Sequence, residues 1–506
     1  MINQEKDPAS PATTRLAYDA MQTTWDKVQT VLDGTQAMRG AGEAYLPRHE
    51  GESDVSYRER LSRATLFNMT KLTLTNWVGK PFGAPIGFDL VPPAIEPLLD
   101  NVDLVGNDVH VFCRDWFSDG IAKSYSHVLV DYPRTAPTGD DGRPRTLADD
   151  QTEGARPYWV HIRPENLIFA DAEMVGGRET LREVRILERV TERNGFAEQC
   201  VVQIRQITTN PIPGRGCIVT LYRPNPEKKG DKIEWLVYDP PYEMTLTRIP
   251  LVTFYSDRNA FMLGTSPIAD LADLNIAHWQ SGSDQRACLT VARFPILALS
   301  GGVDKDKQLT VGPNQWLWSP DPQGKFYYVE HTGAALASGD NDMANLENQM
   351  SEYGAQFLKK RPGNTTATAR ALDSAEATSP LQDMVVRFGF ALNQALALTA
   401  EWLRLPKGGT ATLCTDFAPT AADAAMLTTL RELRKARDIS RLAYIDQLKE
   451  WGVLNENYDA DKDALQLEKE SMDLFNMPTL PDPEPDPEPG SNNDDEDPAD
   501  RQAEEE

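Results

Sequence analysis

Apolar residues recur three, four or seven positions apart in several long stretches of the chain, which is the spacing of a helix with one buried face. Over 53–78 the apolar positions are Tyr57, Leu61, Ala64, Phe67, Leu74 and Val78. Gly79-Lys80-Pro81 follows at once and predicts the end of that helix. The same spacing predicts helices over 14–32 and 104–124, and the second of these leads into a short strand at 127–132.

Between 157 and 255 the pattern changes to short runs of β-branched and aromatic residues separated by Gly, Pro and Asn. Such runs predict strands joined by turns. The predicted strands are 158–162, 184–190, 200–207, 218–222, 235–238 and 251–255. We therefore expect an α+β protein in which this stretch holds most of the β-structure.

A long helix is predicted to follow, over 266–292. Ser266 is a favourable N-cap and Pro267 suits the first helical turn. The helix would be roughly 27 residues, or about 40 Å, long. Its middle, 280–286, is polar, which is typical of a helix that lines a cavity or a subunit interface. The candidate residues for such a role are Gln280, Ser283, Asp284 and Arg286.

The rest of the chain is predicted to be mainly helical. Short β segments are expected over 294–329, and they are followed by a helix over 340–360. The sequence Arg361-Pro362-Gly363-Asn364 breaks that helix. Further helical patterns cover 367–403, 421–437, 440–451 and a charged stretch to about 472.

The chain is acidic, with a formal net charge of -26 at pH 7. A conventional sequence-reading DNA-binding domain is basic, because contacts with phosphates supply much of its affinity. Part of the acidity lies in the last residues, since 478–506 holds twelve Asp or Glu and one Arg. This tail is too poor in apolar residues to fold alone, so we expect it to be disordered.

No catalytic or metal-binding motif is recognisable. A P-loop, a dinucleotide fingerprint, H-E-x-x-H and G-x-S-x-G are all missing from the sequence. The five cysteines form no C-x-x-C pair, and the six histidines have no ligand spacing. We therefore expect no enzymatic activity, no cofactor and no metal. No apolar run is long enough for a membrane span and no secretory signal is visible, so we expect folding in a cytoplasm.

Five groups of short motifs, in this order, resemble the portal proteins of tailed bacteriophages, in the subgroup known only as phage proteins of unknown function. They cover most of the chain from Tyr45 to Leu454. They are Tyr45-Leu46-Pro47 with Tyr57-Arg58-Glu59-Arg60 and Phe67-Asn68-Met69-Thr70; Ser126-His127-Val128-Leu129-Val130-Asp131-Tyr132-Pro133; Arg248-Ile249-Pro250-Leu251-Val252 with Ser266-Pro267-Ile268 and Leu271-Ala272-Asp273-Leu274-Asn275; Thr366-Ala367-Thr368-Ala369-Arg370 with Ser379-Pro380-Leu381; and Leu448-Lys449-Glu450-Trp451-Gly452-Val453-Leu454.

The resemblance implies a portal-like α+β fold with its parts in a fixed order. The parts are a mixed α/β wing, long stem helices, a small α/β clip, a tunnel loop and a helical crown. Their boundaries would be 1–44 for an N-terminal arm and helix, 45–264 for the wing, 265–292 for the first stem helix, 293–338 for the clip, 339–360 for the second stem helix, 361–410 for the tunnel loop and a long wing helix, 411–475 for the crown, and 476–506 for the disordered acidic tail.

The resemblance also implies a function in the virion. Twelve subunits would form a ring at one capsid vertex, assembled in the host cytoplasm, through which double-stranded DNA passes without sequence specificity during packaging and ejection. The ring would bind the large terminase subunit, the head-to-tail adaptor, and the major capsid and scaffold proteins. No membrane partner is implied.

Several residues are candidate contacts within such a ring. At the tunnel loop, DNA would meet Lys359, Lys360, Arg361, Asn364 and Thr365. The alternative, which we prefer, is a basic helix C-terminus that complements the helix dipole; a second position for the loop is 375–380. In the clip, Trp316 and Trp318 would contact the adaptor or motor, although packing within or between portal subunits is favoured.

The presumed crown contains a basic run that includes Arg434, Lys435 and Arg437. It would face packaged DNA, or it would be a solvated helix face paired with neighbouring acids. Other functions stay open for the chain as a whole. It could be another head or tail structural protein, an acidic hydrolase or nuclease without a recognisable motif, or a scaffold-like protein.

Overall fold

The computed structural model describes residues 7–135, 143, 146–227, 233–293, 296–300, 322–329, 334–354, 367–415, 424–450, 453–454 and 458–475. They belong to two compact units, 1–418 and 419–506. The helices are α1 (Leu16–Asp33), α2 (Thr35–Ala41), α3 (Asp54–Arg63), α4 (Met69–Gly79), α5 (Glu96–Leu99), α6 (Val109–Lys123), α7 (Leu147–Glu153), α8 (Ala269–Ala292), α9 (Ala334–Gly354), α10 (Ala367–Trp402), α11 (Ala424–Ala436), α12 (Arg441–Glu450) and α13 (Ala460–Phe475).

Strands form separate small sheets and one larger one, so the chain is an α+β protein. The strands are β1 (Gly87–Asp89), β2 (Tyr125–Asp131), β3 (Tyr158–Ile162), β4 (Leu167–Val175), β5 (Arg178–Asn194), β6 (Ala197–Thr208), β7 (Ile218–Pro224), β8 (Trp235–Glu243), β9 (Leu251–Tyr255), β10 (Arg258–Ala260), β11 (Leu263–Gly264), β12 (Ile296–Ser300), β13 (Lys325–Val329) and β14 (Thr410–Thr412). The larger sheet is an antiparallel meander in the order β4-β5-β6-β7-β8.

Strand β2 is the centre of a three-stranded antiparallel sheet in the order β3-β2-β9, and all of its residues are buried. Because successive side chains of a strand point to opposite faces, β2 contributes to two hydrophobic cores. Val128 and Val130 lie in the core formed with α4, α6 and α10. Tyr125 and Leu129 lie in the core formed with α1 and the five-stranded sheet.

Aromatic rings fill the first core where α6 and α10 meet the sheet. The ring of Phe388 lies 4.9 Å from Trp116, 5.0 Å from Phe254 and 5.1 Å from Phe117, measured between centroids. Gly120 makes this close packing possible, because a Cβ at that position would lie 2.3 Å from Cδ1 of Phe254. The sheet therefore approaches α6 at a point where only glycine fits.

Helices α8 and α9 pack antiparallel, and strands β12 and β13 continue from their adjoining ends. Near one end of the contact, the ring of His278 on α8 lies within hydrogen-bond distance of the Glu347 carboxylate on α9. Nearer the other end, the side-chain amide of Gln285 on α8 donates a hydrogen bond to the Asp340 carboxylate on α9. β12 pairs with β13 from Ile296↔Val329 to Ser300↔Lys325. The chain therefore runs from α8 into β12, and it returns through β13 into α9.

The structure corrects several predicted boundaries in the first half. The helix predicted over 53–78 is two helices, α3 and α4, and the side chain of Asn68 caps the second by accepting from the Lys71 amide. The helix predicted over 104–124 starts at Val109, where Asp108 is the N-cap. Strand β4 was not predicted, and it pairs with β5.

Three predictions in the second half are also wrong. Ser266 does not cap α8 with its side chain, because its hydroxyl donates to the Ala122 carbonyl at 2.7 Å and the helix begins at Ala269. The alternative loop at 375–380 lies inside α10, which contains Pro380. Helix α9 begins at Ala334, before the predicted start at 340. The predicted disordered tail, 476–506, lies outside the described residues.

We expect Phe388→Ala to lower the free energy of unfolding by about 3–5 kcal/mol, because it removes a buried ring and leaves a cavity among the aromatic residues around it. The matched control is Phe390→Ala, two residues further along α10, whose side chain is 65% exposed. That change should cost under about 0.5 kcal/mol. Urea unfolding followed by tryptophan fluorescence measures both; equal losses would contradict the core assigned here.

Candidate functional site

The polar middle of α8 lies between two other parts of the chain, the segment 45–63 on one side and α9 on the other. Towards 45–63, the Gln280 side-chain amide donates to the Tyr45 carbonyl at 2.9 Å. Arg286 donates from Nη1 to the Arg63 carbonyl, also at 2.9 Å. Oδ1 of Asp284 lies 3.2 Å from Nε2 of His49 and 3.4 Å from Nη1 of Arg60.

Arg60 anchors this contact from α3. Its guanidinium binds Glu52 through two hydrogen bonds, Nε to Oε1 at 2.9 Å and Nη2 to Oε2 at 2.8 Å, and Nη2 also donates to the Pro47 carbonyl. Both side chains of the pair are only 6% exposed. Hydrogen bonds from Arg60 lower the pKa of Glu52 to about 2. A bidentate charged pair of this kind fixes both the distance and the orientation of its partners.

Hydrogen bonds also join α8 to α9. Ser281 donates to Oδ2 of Asp342 at 2.9 Å, and the Gln285 amide donates to the Leu336 carbonyl and to Oδ1 of Asp340, each at 2.9 Å. Gly339 allows this approach, because a Cβ there would lie 2.1 Å from Oε1 of Gln285. Neither Gly339 nor Gln285 was among the predicted site residues. The only feature of the sequence that pointed to them is the polar stretch around them.

The four predicted stem residues differ in where they lie. Gln280, Asp284 and Arg286 contact the segment 45–63, and Asp284 is about half exposed, at 48% of its side chain. Ser283 is buried. These contacts within one chain account for much of the polar middle of α8 without a second subunit. A role for these residues at a channel or a subunit interface stays a prediction.

The other predicted site residues divide into described and undescribed positions. The tunnel-loop residues Lys359, Lys360, Arg361, Asn364 and Thr365, and the clip residues Trp316 and Trp318, lie outside the described residues. In the second unit, Arg434 and Lys435 lie in the last turn of α11, and Arg437 follows it with a positive φ of 65°. Arg434 donates from Nη1 to the Ile439 carbonyl at 3.2 Å.

Two ionic contacts, one half-buried and one buried, were not foreseen from the sequence. Arg205 on β6 lies 2.6 Å from Oδ2 of Asp131 on β2 and 2.7 Å from Oε1 of Glu188 on β5, so it connects the three-stranded sheet to the five-stranded one. Lys123, at the end of α6, is fully buried beside Glu165. Nothing in the spacing of these residues indicates their partners, which come from distant parts of the chain.

His127 is fully buried in β2, where Nδ1 lies 2.9 Å from the Thr253 hydroxyl, and burial lowers the pKa of its ring to about 3. Within the described ranges, no group of three or more His, Cys, Asp or Glu is placed to hold a metal ion. Over those same ranges, no helix combines the length and apolar character that crossing a membrane requires.

We expect the Arg60–Glu52 pair to make stability depend on acid. The pKa of Glu52 is lowered from 4.5 to about 2 in the folded chain. The stabilisation is therefore present above pH 4.5 and is lost as the pH falls through about 2. Thermal unfolding at pH 7, 4.5, 3.5 and 2.5 should show a steeper loss for the natural chain than for Glu52→Gln.

The control for this experiment is Glu59→Gln on α3, the helix that carries Arg60. The side chain of Glu59 is 58% exposed and is bound to Arg63 on the surface. Its acid profile should follow that of the natural chain, because an exposed ion pair contributes little to stability. A Glu52→Gln profile that also follows the natural chain would show that the buried pair does not contribute to acid sensitivity.

One family model matches part of the chain. It is described as "Domain of unknown function (DUF4055)" and it matches residues 267–403. That segment contains α8, β12, β13 and α9, and it extends to the end of α10. No curated protein matches the chain.

Solved structures of a gene transfer agent (GTA) particle are similar to this chain. The neck of the native particle, computed with C12 symmetry, has 13% identity and a TM-score of 0.34, covering 74% of this chain and 87% of its own. The native virion has 12% identity and a TM-score of 0.34, covering 84% and 97%. The neck of the empty particle, computed with C6 symmetry, has 14% identity and a TM-score of 0.36, covering 79% and 88%.

TM-scores of 0.34 to 0.36 are too low to establish how this chain folds or acts. The similarity to a protein family covers a shorter part of the chain. Over residues 267–403, the part that holds the paired helices, the chain is similar to the DUF4055 family.

Proposed function

We propose that the chain is a portal subunit of a tailed-phage-type particle. Twelve copies form a ring at one capsid vertex, and double-stranded DNA passes through the ring during packaging and ejection. The observation that carries the proposal is the antiparallel pair α8 and α9, whose adjoining ends continue into the paired strands β12 and β13. This order of helix, strand, strand and helix is the order that the sequence resemblance implies for stem, clip and stem.

The dimensions of this pair suit a channel wall. Helix α8 has 24 residues, so its axis is about 36 Å long. Its contacts with 45–63 hold it against the rest of the unit, and α9 is held to α8 by side-chain hydrogen bonds. A helix fixed along its length keeps its position when a ring is loaded, as a channel around a moving polymer requires.

The charge of the chain also suits a channel for DNA. Double-stranded DNA carries about one negative charge per 1.7 Å of its axis. A ring of subunits with a net charge of -26 each repels it, so the polymer stays centred and slides. The same ring is the docking platform for terminase and for the adaptor. It lies in the virion, at the portal vertex.

The first test of the proposal is the assembly state of the purified chain. Negative-stain electron microscopy and light scattering should give rings with a central hole and a mass near twelve times 56.4 kDa. Co-expression with the scaffold and capsid proteins supplies the conditions of assembly. Particles that stay monomeric under those conditions contradict the proposal, and so does an open tube, which would indicate another head or tail structural protein.

A narrower part of the proposal concerns Lys359, Lys360 and Arg361, which would form a basic belt with Asn364 and Thr365. Replacing the three cations with Gln should shorten the packaged DNA while rings still form, because local phosphate contacts are lost. The control is Lys462→Gln with Lys469→Gln, which removes exposed cations from α13 instead. Full-length packaging by the triple variant in well-formed rings would support the helix-dipole interpretation.

A further inference from the structure

The second unit carries a concentrated basic surface in an otherwise acidic chain. The basic face is defined by five cations within eleven positions: Arg431, Arg434, Lys435, Arg437 and Arg441. All except Arg434 are exposed, and Arg434 is half-buried. Glu432 and Asp438 are the only acids between positions 431 and 441, so this stretch has a net charge of +3.

The helix framework places three of these cations on one side of α11 and the other two in the turn that follows it and at the start of α12. Arg431, Arg434 and Lys435 are three and four positions apart on α11, which places them on one side of the helix. The turn that follows is tight, because Arg437 has a positive φ and its amide donates to the Arg434 carbonyl at 3.2 Å. Arg441 then begins α12, and it donates to the Ala460 carbonyl, the first residue of α13, at 3.2 Å.

The helix dipole accounts for only part of this arrangement. A negative helix end is complemented by one or two cations in its last turn. Arg434 and Lys435 fulfil that role for α11. Arg437, directly after the helix end, is also favoured by the dipole, but Arg431 lies one turn earlier and Arg441 begins the next helix, so the dipole of α11 gives no reason for these two to be basic.

The same unit supplies an anionic segment of matching chemistry. Residues 478–506 hold twelve Asp or Glu and one Arg, which gives a net charge of -11. The segment follows α13, whose first residue contacts Arg441. The 16 residues of α13 are about 24 Å long, and the 31 residues after it can span up to about 100 Å. The acidic residues can therefore return to the basic face.

We propose that the acidic segment 478–506 occupies the basic face and competes there with polyanions such as DNA. A tethered segment experiences an effective concentration on the order of millimolar. Even a weak contact, with a Kd near 0.1 mM, would then reduce binding of an external polyanion about tenfold. The basic face is thereby kept from holding DNA, and it becomes available only when the acidic segment is displaced. The inference does not depend on whether the chain forms a ring.

A first experiment looks for the contact in the full chain. Carbodiimide joins a lysine amine to a carboxylate that touches it, and Lys435 is the lysine of the basic face. Mass spectrometry should find Lys435 linked to carboxylates of 478–506 at 50 mM salt and find the link lost at 500 mM, because salt screens exposed charges. Lys462 and Lys469 are nearer to the acidic segment along the chain. Links confined to these two lysines would reflect proximity alone and would overturn the proposal.

A second experiment measures competition with a 30-base-pair DNA duplex as the probe. A chain that ends at Met477 should bind the duplex about tenfold more tightly than the full chain at 50 mM salt. The same truncation removes 11 net negative charges, which by itself reduces general repulsion. A set of substitutions on the basic face separates the two effects.

The separating variant is Arg431→Gln with Lys435→Gln and Arg437→Gln, which spares the hydrogen bonds that Arg434 and Arg441 make to backbone carbonyls. In this background the truncation should change duplex affinity less than twofold. Lys462→Gln with Lys469→Gln is the matched control and should keep the tenfold gain. An equal gain in both backgrounds, or no gain in the natural one, would overturn the proposal.

Discussion

The burial of β2 on both faces is the constraint on which the first unit depends. The strand contributes Val128 and Val130 to one core and Tyr125 and Leu129 to the other. Both neighbours in its sheet are antiparallel strands, so its backbone groups are paired along its length. A shift of one residue in its register would exchange the two sets of side chains between the cores. The two cores therefore have to form together.

The polar contacts of α8 depend on that framework. Once the cores position α3 and α4, Arg60 and Glu52 form a buried bidentate pair whose remaining donor reaches Asp284. Breaking a buried pair leaves an uncompensated charge and is strongly destabilising, which gives the contact one geometry. On the other side of α8, Gly339 also restricts the geometry, because its lack of a side chain lets Gln285 approach α9. The polar residues in the middle of α8 thus hold the helix to other parts of its own chain. In the sequence, the same residues are typical of a cavity lining or a subunit interface.

Charge is distributed unevenly between the parts of the chain, and this distribution unites the two proposals. A net charge of -26 keeps DNA from adhering to the protein as a whole. The basic face of the second unit is a local exception among the described residues, and the acidic segment 478–506 carries charge of the opposite sign. A channel protein would gain from masking such a face, because a fixed cationic surface would slow the passing polymer.

Local sequence signals were enough to predict the long helix, over 266–292, and most of the short strands between 158 and 255. The helix was indicated by Ser266 and Pro267 at its start, and the strands by runs of β-branched and aromatic residues between turn residues. The partners of isolated polar residues could not be predicted, because they depend on how distant segments pack together. Lys123 with Glu165, Arg205 with Asp131, and Ser266 with the Ala122 carbonyl join distant positions, and no local pattern encodes such contacts. The break between α3 and α4 belongs to the same class, because its cap, Asn68, also donates to the Val31 carbonyl on α1.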